Sequence, residues 1–274
     1  MRMALIDGDI FTRRYTAACE YDLYTCGTAH GDTEEIRGRK AAEKYIEEND
    51  SYRIVDSIRV VEPVRVVKRN IINSIETILE NTTSNECRIF LGEQGVPTFR
   101  HKLYPDYKKK RVDTVRPAHY AEIYDWLKEK YNAETHHEME ADDALCVVAG
   151  LYDDCVICSN DKDLLQYPGK HYNWITDVKK IVKPFDGDRS LFTQILMGDS
   201  VDCIPGLKGV GAKKAQKILE DCTDFQQLYD STLTAYEGDV EHMMLMGSLV
   251  YLLREAFDDS FAKYIERKAS DLGE

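Results

Sequence analysis

Three short acidic runs follow one another between residues 140 and 202, and they restrict the folds that this chain can adopt. Each run lies beside apolar residues, in a position typical of a strand end or a helix start. Carboxylates gathered in one pocket repel one another and lose solvation unless a multivalent cation neutralises them. Oxygen ligands favour a hard cation, Mg²⁺ or Mn²⁺, over zinc. The runs contain Glu140, Asp142, Asp143, Asp161, Asp163, Asp199 and Asp202.

Apolar runs of strand length alternate with helical patterns along much of the chain, and beyond residue 190 the pattern is helical. This alternation predicts an α/β fold with a mostly parallel central sheet flanked by helices and a C-terminal helical region. Residues 20–57 are polar and weakly periodic, and only a helix near 34–48 is expected there. The predicted strands cover 3–6, 88–91 and 155–158, and the predicted helices cover 71–79, 119–131 and a stretch that opens at Asp142.

The length of 274 residues and the apolar fraction of 43% permit one compact unit with a full core. We expect an α/β core over residues 1–185 and a helical region over 186–274. No run approaches the roughly 20 apolar residues of a membrane helix, and the N-terminus is typical of a strand rather than of a signal peptide. A cytoplasmic location is therefore expected.

The net charge of −13 argues at first against a nucleic-acid partner, but net charge does not locate charge. The basic residues cluster in two places, which predicts salt-sensitive binding of DNA at those places. One cluster is the run Lys108, Lys109, Lys110 and Arg111, and the other contains Lys208, Lys213, Lys214 and Lys217.

Candidate ligands also lie outside the three runs, because Asp7 and Glu93 each follow a predicted strand. In an open α/β sheet, sites form beyond the carboxyl ends of the strands. Asp142 and Asp143 are consecutive and point in different directions, which favours two cations roughly 4 Å apart. Capping and the helix dipole also place acidic residues at helix starts, so a single run would indicate only a cap. The joint occurrence of all the runs favours a metal site.

The pattern of a glycine-rich segment at residues 204–219 predicts a helix, a tight turn and a second helix. Glycines at a helix start let backbone N–H groups approach a phosphate, and nearby lysines add positive charge. Such binding is independent of base sequence. The alternative is a tight turn between two helices with solvated lysines. The candidate phosphate-binding residues are Gly206, Lys208, Gly209, Gly211, Lys213 and Lys214.

These motifs, in this order, resemble those of the 5′ nuclease (flap endonuclease) superfamily, with the nearest likeness to bacteriophage 5′→3′ exonucleases. The resemblance covers residues 3–14 and about 88–220. The family usually has Asp where Glu93 stands. Relatives with a full helical arch have more residues between the positions of Tyr107 and Glu140, so the resemblance implies a short arch near 101–131 in this chain. The motifs are Leu5-Ile-Asp7-Gly-Asp9, Leu91-Gly-Glu93, Tyr107-Lys108-x-x-Arg111, Glu140-Ala-Asp142-Asp143, Ser159-Asn-Asp161-Lys-Asp163 and Gly198-Asp199-x-x-Asp202 followed by the glycine segment.

The resemblance implies two Mg²⁺ ions, with Mn²⁺ as a possible substitute. Around the first ion it implies Asp7, Glu93, Glu140 and Asp142. Around the second, partly through water, it implies Asp143, Asp161, Asp163, Asp199 and Asp202.

The resemblance also implies contacts to DNA. Lys108 and Arg111 match positions that contact the scissile phosphate, and Tyr107 matches an aromatic residue near the terminal base. Arg14 matches a phosphate-contacting arginine. The glycine segment matches a helix–three-turn–helix, which in relatives grips the duplex backbone, often through K⁺. Lys109 and Lys110 are further candidates for DNA contact.

The implied activity is Mg²⁺-dependent 5′→3′ exonuclease and 5′ flap endonuclease hydrolysis of DNA, giving 5′-phosphate and 3′-hydroxyl ends in replication or recombination. Implied partners are DNA 5′ ends, flaps and duplex–single-strand junctions. One alternative is a ribonuclease of the related PIN type, which lacks the glycine segment. The other is a DNA-end-binding protein with a decayed catalytic site, although Asp or Glu stands at every expected ligand position.

Overall fold

The computed structural model describes residues 1–111, 114–255 and 259–271. The chain forms two compact units. The larger comprises Met1–Asp9, Ile75–Val115 and Lys128–Glu274, and the smaller comprises Ile10–Ser74 and Arg116–Leu127.

The described residues contain eight strands, eleven α-helices and three other helical turns. The strands are β1 (Met3–Asp7), β2 (Glu20–Gly27), β3 (Thr33–Arg37), β4 (Arg53–Val61), β5 (Glu86–Phe90), β6 (Cys155–Cys158), β7 (Gly169–Asn173) and β8 (Val178–Val182). The helices are α1 (Thr16–Ala18), α2 (Arg39–Glu48), α3 (Val64–Thr82), α4 (Phe99–Leu103), α5 (Tyr120–Tyr131), α6 (Ala141–Ala149), α7 (Pro184–Met197), α8 (Ala212–Ile218), α9 (Phe225–Ala235), α10 (Val240–Val250) and α11 (Phe261–Asp271). A π-helical turn covers Phe11–Tyr15, and 3₁₀ turns cover Lys109–Arg111 and Asp163–Gln166.

The central sheet has the strand order β5-β1-β6-β7-β8, and only its last pair is antiparallel. All five side chains of β1 are buried, as in a strand covered on both faces. Asp7 is registered opposite Phe90 of β5, and Ile6 opposite Cys158 of β6. The carboxyl ends of these three strands therefore lie at one edge of the sheet. The predicted mostly parallel α/β sheet with C-terminal helices is confirmed.

The three strands expected from apolar runs are present as β1, β5 and β6. The helices expected at 71–79, at 119–131 and from Asp142 are present as α3, α5 and α6. The hairpin of β7 and β8 was not predicted. Two consecutive lysines interrupt β8 and all of it except Val182 is exposed, so it lacks the apolar run that identifies a buried strand.

Residues 20–61 differ most from the sequence expectation. They form an antiparallel sheet in the order β3-β2-β4, with α2 between β3 and β4 in the chain. The helix expected near 34–48 is shorter, because residues 33–37 form β3. Nearly all of β3 and β4 is exposed, so neither strand carries the alternation of apolar and polar residues that marks a half-buried strand.

A second core lies among the C-terminal helices of the larger unit. Leu191 and Ile195 of α7, Leu228 of α9 and Leu249 of α10 are buried together there. The boundary expected at residue 185 falls inside this unit, and the functional division that it represents stays a prediction. Residues 112–113 of the expected arch lie outside the described residues. Within the described ranges, no helix has the length and apolar character that crossing a membrane requires.

Candidate active site

The carboxyl edge of the central sheet carries Asp7 at the end of β1, where it is only 5% exposed. The hydroxyl of Ser159, just beyond β6, donates to Asp7 Oδ2 at 2.9 Å. The backbone N–H of Asp9 donates to Asp7 Oδ1 at 3.1 Å. Two neighbouring strands thus fix this carboxylate in place.

Asp7 and Asp142 lie in a region of excess negative charge. Burial, then Asp9 and Asp161, raise the pKa of Asp7 to about 7, although the hydrogen bond from Ser159 acts against them. Burial also raises the pKa of Asp142 well above its usual range, followed by the charges of Asp7, Asp161 and Glu140. The fold therefore brings the carboxylates of β1, α6 and the segment after β6 close together.

Asp161 and Asp163 follow β6 in a tight turn, in which the N–H of Asp163 donates to Asp161 Oδ1 at 2.9 Å. The side-chain amide of Gln194 on α7 donates to Asp163 Oδ1 at 2.5 Å. Burial, then Asp161, Asp199 and Asp202, raise the pKa of Asp163 to about 7. This second group of carboxylates thus includes residues from the turn after α7.

Asp199 and Asp202 lie in the turn between α7 and α8. Asp199 Oδ1 accepts from the N–H of Val201 at 2.7 Å, and the backbones of Asp199 and Ile204 bond to each other in both directions. Gly206 closes the turn at φ +58°, and a Cβ there would meet the backbone nitrogen of Gly198 at 2.3 Å. Only glycine permits this approach, which sets where Asp199 and Asp202 stand.

Basic side chains lie directly on two of these carboxylates. Lys108 Nζ is 2.6 Å from Glu140 Oε1 and 3.5 Å from Asp202 Oδ2, and Arg111 pairs with Asp202. Burial raises the pKa of Glu140, but Lys108 and then Arg100 outweigh it and leave the pKa at about 2. For Asp202, burial outweighs Lys108 and Arg111, so its pKa is raised.

Tyr107 is buried next to these ion pairs, with only 3% of the residue exposed. Its hydroxyl donates to Glu140 at 3.1 Å and lies 3.5 Å from Asp202 Oδ2. Stacking on a terminal base would require the ring to leave this position. The predicted base contact stays a prediction, and the structure places Tyr107 as a support for two carboxylates.

Asp143 and Glu93 are placed differently from the other expected ligands. Asp143 is fully buried and paired with Arg100, whose NH1 is 2.6 Å from Asp143 Oδ2. Glu93 is half-buried and lies 3.0 Å from Nδ1 of His137, a residue that is itself largely exposed. The structure therefore brings most of the expected acidic residues together and gives these two other partners.

The remaining expected DNA contacts are mostly exposed. Gly206 is buried within its turn. Arg14 is exposed on the smaller unit. The expected DNA contacts that are exposed on the larger unit are Lys109, Lys110, Lys208, Gly209, Gly211, Lys213 and Lys214.

Comparison with known proteins finds a related domain. Residues 59–191 match the family model of the 5′-3′ exonuclease N-terminal, resolvase-like domain. Over this segment, a little less than half of the chain, the sequence is similar to 5′-3′ exonucleases.

Curated relatives of this chain are similar to it at low identity. The flap endonuclease Xni of Shewanella baltica is 28% identical over 149 residues, which are 49% of this chain and 57% of the relative. The 5′-3′ exonuclease of Mycoplasmopsis pulmonis is 26% identical over 177 residues, 58% of each chain. DNA polymerase I of Synechocystis is 28% identical over 189 residues, which are 58% of this chain and 19% of the polymerase. The chain thus spans less than two thirds of each of these relatives.

Solved structures share the fold. The bacteriophage T5 D15 flap endonuclease, solved in a complex with DNA and metal ions, has a TM-score of 0.60 at 14% identity, with 100% of both chains covered. The T5 D15 protein co-crystallised with metal ions has a TM-score of 0.58 at 16% identity, covering 92% of this chain and 90% of that one. At these identities the likeness shows the 5′ nuclease fold.

The acidic residues at this edge of the sheet fit divalent cations in chemical type. Their donors are carboxylate oxygens, and the raised pKa values of Asp7, Asp142 and Asp163 arise from burial beside like charges that a cation would offset. These side chains do not form a complete coordination shell. Within the described ranges, no group of three His, Cys, Asp or Glu residues is arranged to hold a metal ion.

Three supporting residues of the site carried no functional role in the sequence analysis. Ser159 entered the sequence analysis only as the first residue of the motif that contains Asp161 and Asp163, but its hydroxyl donates a hydrogen bond to Asp7. Gln194 lies within α7 with no local signal, and its partner Asp163 is 31 residues away. Arg100 stands only seven residues before Tyr107, but a buried arginine cannot be told from an exposed one by sequence position.

Proposed function

We propose that this chain is a divalent-metal-dependent 5′→3′ exonuclease and 5′ flap endonuclease acting on DNA. It would hydrolyse phosphodiesters near 5′ ends and leave 5′-phosphate and 3′-hydroxyl products. One observation carries the proposal: carboxylates from β1, α6, the turn after β6 and the turn after α7 meet beside Lys108 and Arg111.

The proposed cations are two Mg²⁺ ions, for which Mn²⁺ can substitute. When bound, such a pair acts as a Lewis acid and clamps the attacking and leaving oxygens of a phosphodiester. The set proposed for the first ion is Asp7, Glu93, Glu140 and Asp142. The set proposed for the second is Asp161, Asp163, Asp199 and Asp202.

Lys108 and Arg111 are proposed to offset the charge that develops on the phosphoryl oxygens. Both side chains lie on Glu140 and Asp202 in the structure, so they are already at the edge of the carboxylate cluster. If Glu140 and Asp202 held a cation instead, Lys108 and Arg111 would be available to a phosphate of the DNA.

The exposed basic residues are proposed to hold the DNA backbone independently of sequence. The turn between α7 and α8 would grip duplex DNA as a helix–three-turn–helix, with K⁺ at its carbonyls, and Arg14 would contact a phosphate. Such contacts suit DNA with 5′ ends, flaps or duplex–single-strand junctions. The proposed contacts of the larger unit are Lys109, Lys110, Lys208, Lys213 and Lys214.

The test uses purified protein with Mg²⁺ and three DNA substrates: a 5′-labelled flap, a 5′-recessed duplex and a 3′-labelled control. Release of short products from 5′ ends, lost in EDTA, is expected. Asp142→Asn should abolish cleavage, whereas Asp153→Asn, an exposed carboxylate before β6, should leave it unchanged. Retained DNA binding without cleavage would favour the decayed end-binding protein. Cleavage of single-stranded RNA alone would favour a PIN-type ribonuclease.

A further inference from the structure

Asp143 and Arg100 form a two-point ion pair inside the larger unit. Arg100 NH1 lies 2.6 Å from Asp143 Oδ2, and NH2 lies 2.9 Å from Asp143 Oδ1. Asp143 is 0% exposed and Arg100 is 2% exposed. A pair removed from water in this way persists only when its remaining donors and acceptors are also satisfied.

The carboxylate of Asp143 has no oxygen position left for a cation. Besides the two guanidinium nitrogens, Oδ1 accepts from the N–H of Leu253 at 3.1 Å, and Oδ2 accepts from the N–H of Glu140 at 3.3 Å. A carboxylate offers about four lone-pair sites, and these four donors account for them.

Arg100 extends the connection to the end of α10. Its Nε donates to the carbonyl of Leu249 at 2.9 Å, and its NH2 donates to the carbonyl of Tyr251 at 2.6 Å. The pair therefore joins α4, the first turn of α6 and the chain that leaves α10. The first turn of α6 is the one that presents Glu140 and Asp142.

We propose that Asp143 ligates no metal ion and that the Arg100–Asp143 pair is a buried clamp that positions Glu140 and Asp142 for the cations. Arg100 is then a positioning residue, and the clamp also removes one negative charge from the cluster. This inference rests on the proposed function, because it concerns the same cation site. It replaces the ligand role that the family resemblance implied for Asp143.

The test is Mn²⁺ affinity measured by titration calorimetry, with folding checked by circular dichroism. Asp143→Asn alone leaves the charge of Arg100 unpaired, 3.9 Å from Glu140, where it competes with the cation. We expect this variant to lose about tenfold or more in Mn²⁺ affinity. Adding Arg100→Gln removes that charge and should recover most of the lost affinity. A folded double variant that stays as weak as Asp143→Asn would overturn the clamp.

A matched control is the ion pair of Arg88 and Glu134, a partly exposed two-point arginine–carboxylate pair whose hydrogen bonds and ion pairs within the described chain reach none of the proposed cation ligands. Arg88→Gln with Glu134→Gln should leave Mn²⁺ affinity at the wild-type level. An equal loss in this control would show that any ion-pair change weakens the site and would overturn the assignment.

A second measurement does not depend on how the variants fold. In a crystal structure of the wild-type protein with Mn²⁺, the anomalous signal should lie beside Glu140 and Asp142, with Asp143 still on Arg100. Direct coordination by Asp143, or no Mn²⁺ near α6, would overturn the clamp. Cleavage is measured separately. Recovered Mn²⁺ affinity in the double variant, together with a wild-type protein that cuts no DNA, would support the clamp and count against the proposed function.

Discussion

Neighbouring charges give the carboxylates at the sheet edge very different acidities. The pKa of Glu140 falls to about 2 beside Lys108, although burial acts against this change. The pKa values of Asp7 and Asp163 rise to about 7, mainly because they are buried. At Glu140 the charge of Lys108 outweighs burial, whereas at Asp7 and Asp163 the charges of further carboxylates add to it.

The metal-free protein should therefore lose stability as the pH rises towards 7. Asp7 and Asp163 have ordinary pKa values of 3.8 in the unfolded chain and about 7 in the folded one. Their contribution is full below 3.8 and is lost as the pH rises through that interval, because the unfolded chain releases these protons first. Glu140 acts in the opposite sense, but only below its ordinary value of 4.5.

Thermal melts between about pH 5 and 8 in EDTA measure this effect. The melting temperature should fall across the series, and Mg²⁺ should raise it most at the alkaline end. Asp163→Asn should flatten the EDTA series. A melting temperature in EDTA that climbs steadily with pH would contradict the argument.

Tyr107 provides a second prediction at the scale of one residue. Removing its hydroxyl in Tyr107→Phe deletes the hydrogen bond to Glu140 and should lower the free energy of unfolding by about 1 to 2 kcal/mol. The phenyl ring is kept, so an effect through base stacking would be small. Urea unfolding measures the change, with Tyr104→Phe as the control. A free energy of unfolding equal to that of the wild-type protein would contradict the supporting role of this hydroxyl.

At the scale of the element, the turn between α7 and α8 depends on two glycines in contact. Gly198 and Gly206 have φ values of +68° and +58°, and a Cβ on either would lie within 2.5 Å of the backbone of the other segment. Gly209 also has a positive φ, at +76°, but no atom lies within 4 Å of its Cβ position. Gly198 and Gly206 are therefore required because a side chain would clash with backbone atoms, whereas Gly209 is favoured only by its backbone conformation.

Three alanine substitutions in this turn should lower the free energy of unfolding by different amounts. Gly206→Ala should cost more than about 3 kcal/mol and displace Asp199 and Asp202. Gly209→Ala should cost about 1 to 2 kcal/mol, because only the left-handed backbone is strained. Gly211→Ala should be near neutral, since its φ of −98° suits any residue. Denaturant unfolding measures all three, and equal costs at Gly206 and Gly209 would contradict the close approach.

At the scale of the whole molecule, the sheet of β2, β3 and β4 stands apart from the carboxylate cluster in sequence and contributes little to the core. Cys26 and Ala42 are the buried apolar residues between positions 20 and 61 of the described chain. Glu20 and Val61 are paired across β2 and β4, and the N–H of Glu62 donates to the carbonyl of Cys19 at 2.9 Å. The two ends of this insertion therefore lie side by side.

Replacing residues 21–60 with an Asn-Gly turn should leave a folded protein, because two residues suffice to join a directly paired antiparallel position. The shortened chain should still bind Mn²⁺ and cleave the labelled flap, since every proposed cation ligand lies in the larger unit. Asp142→Asn in the shortened chain is the control for background cleavage. Loss of Mn²⁺ binding in a folded shortened chain would show that the insertion supports the site.

The sequence alone determined the strands β1, β5 and β6 and the acidic residues that follow them. These features are local: an apolar run of strand length and the residues directly after it can be read from a few positions. Because parallel strands end at one edge, the meeting of Asp7 with the carboxylates after β6 followed from the same pattern.

Only the tertiary structure decided which acidic residues are open to a cation and which are already paired. Asp143 meets Arg100 across 43 residues, and Tyr107 meets Asp202 across 95. Contacts of this kind depend on how distant elements pack, and no local spacing encodes them. The exposed sheet at residues 20–61 was decided in the same way, because its strands are defined by their pairing and not by an apolar pattern of their own.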